Sequence, residues 1–159
     1  MLPIPTRRTV LLSGLALCLA PLLPAGARAA TPMMRVAKDP NCGCCEDWVV
    51  ILREAGFPVE VEEMEPGDLR RHKMALGIPA ELASCHTGLI EGYAVEGHVP
   101  VADIRRLLEE RPDAVGLTVP GMPWGSPGMG PEAEREAYSV LLIRKDGGTE
   151  VFASYPAAV

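Results

Sequence analysis

Asn41-Cys42-Gly43-Cys44-Cys45 places three thiols within four positions, and Cys85-His86 follows about forty residues later. A buried cysteine packs as a small hydrophobe and needs no second cysteine beside it, so this crowding points to chemistry on sulfur. Two chemistries suit the spacing. Cys42 and Cys45 form a Cys-x-x-Cys redox pair with a third thiol inserted. Alternatively, Cys42-Gly43-Cys44 with the adjacent Cys45 is a thiolate cluster suited to a soft metal. A framework of two structural disulfides is a third arrangement. The adjacent Cys44-Cys45 resists it, because each would need its own partner and only Cys42 and Cys85 remain.

The elements around the thiols follow from periodicity. Met33 to Ala37 is a short apolar strand closed by Asp39-Pro40-Asn41. A helix begins at the cysteines: Trp48, Ile51, Leu52 and Ala55 keep the i, i+3, i+4, i+7 spacing, and Gly56 stands at the C-terminal cap position. Thiols at a helix N-terminus face the positive end of the macrodipole, which favours the thiolate and marks Cys42 as the reactive sulfur. Phe57, Val59 and Val61 alternate with polar residues as a half-buried strand. Asp68 caps a short helix from Leu69 to Leu76, stopped by Gly77 and Pro79.

Ser84 to Ile90 and Tyr93 to Val99 read as a hairpin around Glu91-Gly92. A helix with Ile104, Leu107 and Leu108 follows Pro100 and ends near Arg111-Pro112. Gly116 to Gly130 is too rich in Gly, Pro and Met for regular structure, and a last hairpin spans Tyr138 to Arg144 and Thr149 to Ser154. The predicted fold is α/β, thioredoxin-like, with an extra C-terminal β-hairpin and a Gly/Pro/Met-rich loop. In that layout the redox site lies between the first strand and first helix, where Cys42 to Cys45 fall.

A two-residue turn at Glu91-Gly92 also sets the register. Opposite residues then add to 183, so Cys85 faces His98 and His86 faces Gly97. Facing residues have Cβ atoms about 5 Å apart, which makes Cys85 and His98 a thiol–imidazole ligand pair. His86 is directed to the other face unless the strand bends, and a one-residue slip exchanges the two histidines. His86 also occupies the position where glutaredoxin-like chains carry the proline that leans on the redox pair. Met122 and Met129 add thioethers in a loop that is a poor core element. His72, among Arg70, Arg71 and Lys73, reads as solvated.

The N-terminus reads as an export leader. Arg7-Arg8 precede an apolar run from Val10 to Leu23 and a small-residue exit at Ala27-Arg28-Ala29, a twin-arginine pattern over residues 1–29. Cys18 falls within the leader, and residues 30–159 read as one thioredoxin-like metal-binding domain. Removing the leader leaves 12 basic residues against 21 acidic ones. Such a balance argues against nucleic acid, whose phosphates need a basic face. No membrane association is expected once the leader is gone.

Taken together, Asn-Cys-Gly-Cys-Cys…Trp, Gly-Ile-Pro-Ala-Glu-Leu-Ala-Ser-Cys-His-Thr, Glu-Gly-His-Val-Pro and Pro-Gly-Met-Pro-Trp-Gly-Ser-Pro-Gly-Met resemble a family of exported bacterial proteins. It is long catalogued as a domain of unknown function and includes CopG-type copper-resistance proteins. The resemblance runs from about Met34 to Tyr155. It implies a thioredoxin-like fold, copper bound through Cys42, Cys44, Cys45 and Cys85 with His86, His98 and the loop methionines nearby, and periplasmic copper handling that includes redox chemistry. Thiolate, thioether and imidazole donors select Cu(I) over harder ions. The other readings are a thiol–disulfide oxidoreductase, with Cys42 attacking and Cys45 resolving, and a zinc or iron–sulfur module. Partners would be the copper ion and other periplasmic copper-handling or thiol-redox proteins.

Overall fold

The computed structural model describes residues 31–159; the export leader expected over residues 1–29, with Cys18, lies outside them. The chain runs β1 (Met34–Lys38), α1 (Gly43–Glu54), β2 (Val59–Glu63), α2 (Pro66–Ala75), β3 (His86–Ile90), β4 (Tyr93–Glu96), α3 (Val101–Glu110), β5 (Ala114–Thr118), β6 (Tyr138–Arg144) and β7 (Thr149–Tyr155). One seven-stranded sheet has the order β2-β1-β3-β4-β5-β6-β7. β1 pairs parallel with β2 through the α1 crossover and antiparallel with β3, and β3 and β4 form the central hairpin. This is the thioredoxin-like layout, extended at one edge by β5 and the β6–β7 hairpin.

The apolar stripe of α1 explains how the cysteines are held. Cys45, Trp48, Val49 and Leu52 are its buried residues, and Trp48 and Leu52 pack with Met34 and Val36 of β1, Val95 of β4, and Ile104 and Leu107 of α3. Burying each such aliphatic side chain contributes roughly 1.5–3 kcal/mol. Trp48 also donates its indole N–H to the Val99 carbonyl at 3.0 Å. The start of α1 is thereby locked to the far end of the β3–β4 hairpin.

The second helix starts earlier than its sequence suggests. Pro66 stands at its first turn, Glu65 is the cap residue, and Asp68 pairs instead with Arg71. The fixed φ of proline suits a first helical position.

The stretch from Gly116 is not loop at its outset. Ala114–Thr118 forms β5, parallel to β4 and antiparallel to β6, with a register shift at Gly116. A Cβ at Gly116 would lie 1.8 Å from the Ala94 carbonyl oxygen, so glycine is needed for the strand to approach its neighbour. The residue that reads as a breaker therefore permits pairing, and the irregular loop starts only at Val119.

Candidate metal and redox centre

Asp39 shapes the turn before α1. Its carboxylate accepts the Asn41 backbone N–H at 2.7 Å, and its carbonyl accepts that of Cys42 at 3.1 Å. Cys42 is the cap residue of α1 and uses its side chain in no capping bond. Its sulfur is disulfide-bonded to Cys45 one turn on, with Cα atoms 5.4 Å apart. Cys44 Sγ lies 3.5 Å from Cys42 Sγ. Cys44 and Cys85 carry half-buried free thiols.

A buried lysine fixes this first turn. Lys38, at the end of β1 and fully buried, places its ammonium 2.8 Å from Glu46 and 3.6 Å from Glu63. Glu46 follows Cys45 directly, so the ion pair clamps the cysteine turn onto the sheet. The acidic residues around the cysteines thus hold structure as well as solubility.

The fourth thiol comes from the hairpin. Glu91 and Gly92 both take positive φ, 46° and 87°, as a two-residue turn of this hand requires. The ladder pairs Thr87 with Glu96 and Ile90 with Tyr93. Beyond it, the Gly97 N–H still donates to the His86 carbonyl at 3.0 Å. One step further, Cys85 Sγ lies 3.1 Å from His98 Nε2. Its distance to His86 Nδ1 is 3.2 Å. Strand alternation alone would send the two imidazoles apart. Because β3 begins only at His86, and Gly97 turns the chain with a φ of +72°, both rings instead flank Cys85. Their centroids are 4.9 Å apart, and the His86 ring lies 4.3 Å from that of Trp48.

The Gly/Pro/Met-rich loop forms the third wall. Its Pro127 carbonyl accepts the His98 Nδ1–H at 2.8 Å, which leaves the Nε2 lone pair toward Cys85. A Cβ at Gly128 would lie 2.8 Å from the Trp48 backbone nitrogen and 3.0 Å from the Cys44 carbonyl oxygen, so the loop rests directly on α1. Ser84 donates its hydroxyl to the Gly121 carbonyl. Met122, next in the chain, is exposed, and Met129 is half-buried. Trp124 donates to Glu134 and stacks over Gly130.

The sulfurs of Cys42, Cys44, Cys45 and Cys85 lie within 4.8 Å of one another, as do the ligand atoms of Cys85, His86 and His98. Cys85 belongs to both groups. Its thiol is pushed up to about 12, first by burial and then by the neighbouring Cys44 charge. Burial holds His86 well below its usual range, helped by His98 and Lys73, and burial also lowers His98. Both imidazoles are therefore neutral at neutral pH, the form that binds metals. His86 Nε2 is buried with no hydrogen-bond partner. The donor set fits a soft or borderline cation. His72 takes no part in it.

A second layer is absent from any motif. Glu96, fully buried, accepts the Lys73 ammonium at 2.6 Å, the Ser84 N–H at 2.6 Å and the Thr87 hydroxyl at 2.5 Å. Lys73 also donates to Thr87 at 2.8 Å. This network ties α2 to the residue before Cys85. Lys73 reads in sequence as one more charge on a solvated helix. The signal that finds it is the register, which places a carboxylate opposite Thr87 within an otherwise apolar strand.

Comparison with known proteins places the chain among relatives. Residues 82–129 match a family model described as protein of unknown function, DUF411. No curated protein matches the chain. A solved structure of copper resistance protein CopG, form 1, is 46% identical, covering 79% of this chain and 98% of its own, with a TM-score of 0.74. Form 2 is 47% identical, covering 79% and 99%, with a TM-score of 0.73. The chain belongs to the CopG-like family.

Proposed function

We propose that this member of the CopG-like family is an exported copper-binding protein acting in periplasmic copper homeostasis or resistance. Residues 1–29, with Arg7 and Arg8, would direct export, and residues 30–159 would form the working domain. Copper is held as Cu(I) on Cys42, Cys44, Cys45 and Cys85, with His86 and His98 beside them and Met122 and Met129 at the loop rim. The observation that carries this reading is the convergence of four sulfurs and two neutral imidazoles at one end of the sheet. Thiolate, thioether and imidazole favour Cu(I) over zinc or harder ions. The kinship with proteins named for copper resistance supports the same choice.

The Cys42–Cys45 bond favours a redox function alongside binding. In the disulfide form two of the four sulfurs cannot act as thiolate ligands. Two-electron reduction restores them, so metal retention and the disulfide compete by mass action. Periplasmic copper-handling or thiol-redox proteins would be the partners that exploit this competition.

The test is copper and zinc content of the reduced protein by mass spectrometry, followed by competition against a Cu(I) chelator before and after oxidation. Copper retained in preference to zinc and lost on oxidation is the expected result. Zinc retention over copper, or copper binding indifferent to oxidation, would overturn the reading.

A further inference from the structure

An open groove of about 410 Å³ lies beside the disulfide, between the turn before α1, one side of α2 and the Ser84-Cys85 segment. Its lining includes Asp39, Asn41, Cys42, Arg70, Ser84 and Cys85. We propose that this groove receives a small zwitterionic thiol, an amino-acid or short-peptide thiol with free carboxylate and ammonium groups, as the reductant of Cys42–Cys45. The inference rests on the redox reading above and names the substrate class of that site.

Exposure fixes the direction of attack. Cys45 is fully buried, whereas Cys42 is half-buried and lines the groove. An incoming thiolate can therefore meet only the Cys42 sulfur, and Cys45 is the leaving group. In the first step R–S⁻ bonds to Cys42 Sγ, the Cys42–Cys45 bond breaks, and its electron pair goes to Cys45 as thiolate. In the second, another R–S⁻ attacks the R sulfur of the mixed disulfide, forming R–S–S–R and releasing the Cys42 thiolate. Two thiols are oxidised and one disulfide is reduced, and the protons lost by the two R–SH are available to the two cysteines.

Charge selects the thiol. Arg71 pairs with Asp68, and Lys73 is consumed by Glu96 and Thr87. Arg70 lines the groove and has no ion-pair partner among the described residues. In a chain of formal net charge −6, a free guanidinium beside the disulfide is a carboxylate-binding group. Asp39 engages one carboxylate oxygen with the Asn41 N–H and leaves the other for an ammonium. The volume falls near the lower end of the roughly 300–1,000 Å³ common for ligand pockets, which suits an amino acid or a short peptide.

The experiment is the reduction rate of the oxidised full chain, followed by alkylation and mass spectrometry. Cysteine, 3-mercaptopropionate, cysteamine and 2-mercaptoethanol are compared at equal thiolate concentration. Cysteine should exceed cysteamine by roughly tenfold, the effect of the one charge contact that its carboxylate adds, with 2-mercaptoethanol as the uncharged baseline. Arg70→Glu should bring cysteine down to the cysteamine rate, while Arg71→Glu keeps the preference. Equal rates for the four thiols, or a preference that survives Arg70→Glu, would overturn the inference while leaving the redox reading intact. If none of them reduces the bond, the redox reading itself fails and this inference falls with it.

Discussion

Cys85 and His98 face each other beyond the last ladder pair of β3 and β4, with Sγ 3.1 Å from Nε2. Cys85 is also the one residue common to the all-sulfur group and the sulfur–imidazole group. Cys85→Ser should therefore weaken copper retention more than the roughly 10–100-fold typical of losing a group behind a ligand. His98→Ala should cost less, because the sulfurs remain. Chelator competition on both variants measures this, and an unchanged affinity for Cys85→Ser would separate the hairpin from the site. The Cys85 thiol, pushed up to about 12, is protonated at neutral pH in the metal-free form. Loading must release that proton, so retention should weaken as pH falls.

The Lys73–Glu96 pair is buried on both sides, with side-chain exposures of 6% and 0%. Removing one partner of such a pair leaves an uncompensated charge, which costs about 3–5 kcal/mol. Glu96→Ala should show that loss in chemical denaturation of the metal-free protein. The double substitution Lys73→Met with Glu96→Leu should recover most of it, since apolar replacement of a buried pair is often neutral. A Glu96→Ala protein of wild-type stability would show that the carboxylate does not hold α2 to the Ser84 segment.

The same hairpin shows why part of the site is legible in sequence. Glu91-Gly92 is a two-residue turn, turn length fixes register, and register alone brings Cys85 opposite His98. The order of elements around Cys42 to Cys45 is equally local, carried by the α1 stripe. β5 is hidden because its pairing with β4 depends on an approach that only Gly116 allows, and glycine otherwise signals a loop. Lys73 is hidden because burial on α2 is decided by Glu96 and Thr87, far away in sequence. Local pattern carries register, but it does not carry the partner of a buried charge.

The two imidazoles should make the metal-free protein acid-sensitive. Both are lowered from the usual 6.5 in the folded state, His86 the more strongly, with Lys73, His98 and Trp48 as its neighbours. The unfolded chain therefore binds more protons once the pH drops through about 6.5, so stability is present above that pH and lost below it. Denaturation midpoints of the reduced, metal-free protein should fall between pH 7 and 5.5, and His86→Asn should flatten that slope. A midpoint constant over this range would mean that the rings take up protons without unfolding.

Gly97 is the position where backbone conformation and site meet. Its φ is +72°, and a Cβ there would lie 2.6 Å from Ser84 Cβ and 2.7 Å from the Val119 carbonyl oxygen. Gly97→Ala thus imposes both a left-handed strain of about 1–2 kcal/mol and a steric push on the segment carrying Cys85. If the turn is what places both imidazoles against Cys85, this substitution should lower copper retention as well as the melting temperature. Gly147→Ala supplies the comparison, since that residue has a φ of +84° with nothing within 4 Å of its added Cβ. It should lower stability by a similar strain while leaving copper retention at the wild-type level. Equal retention in the two variants would show that the β4 turn shapes the fold but not the site.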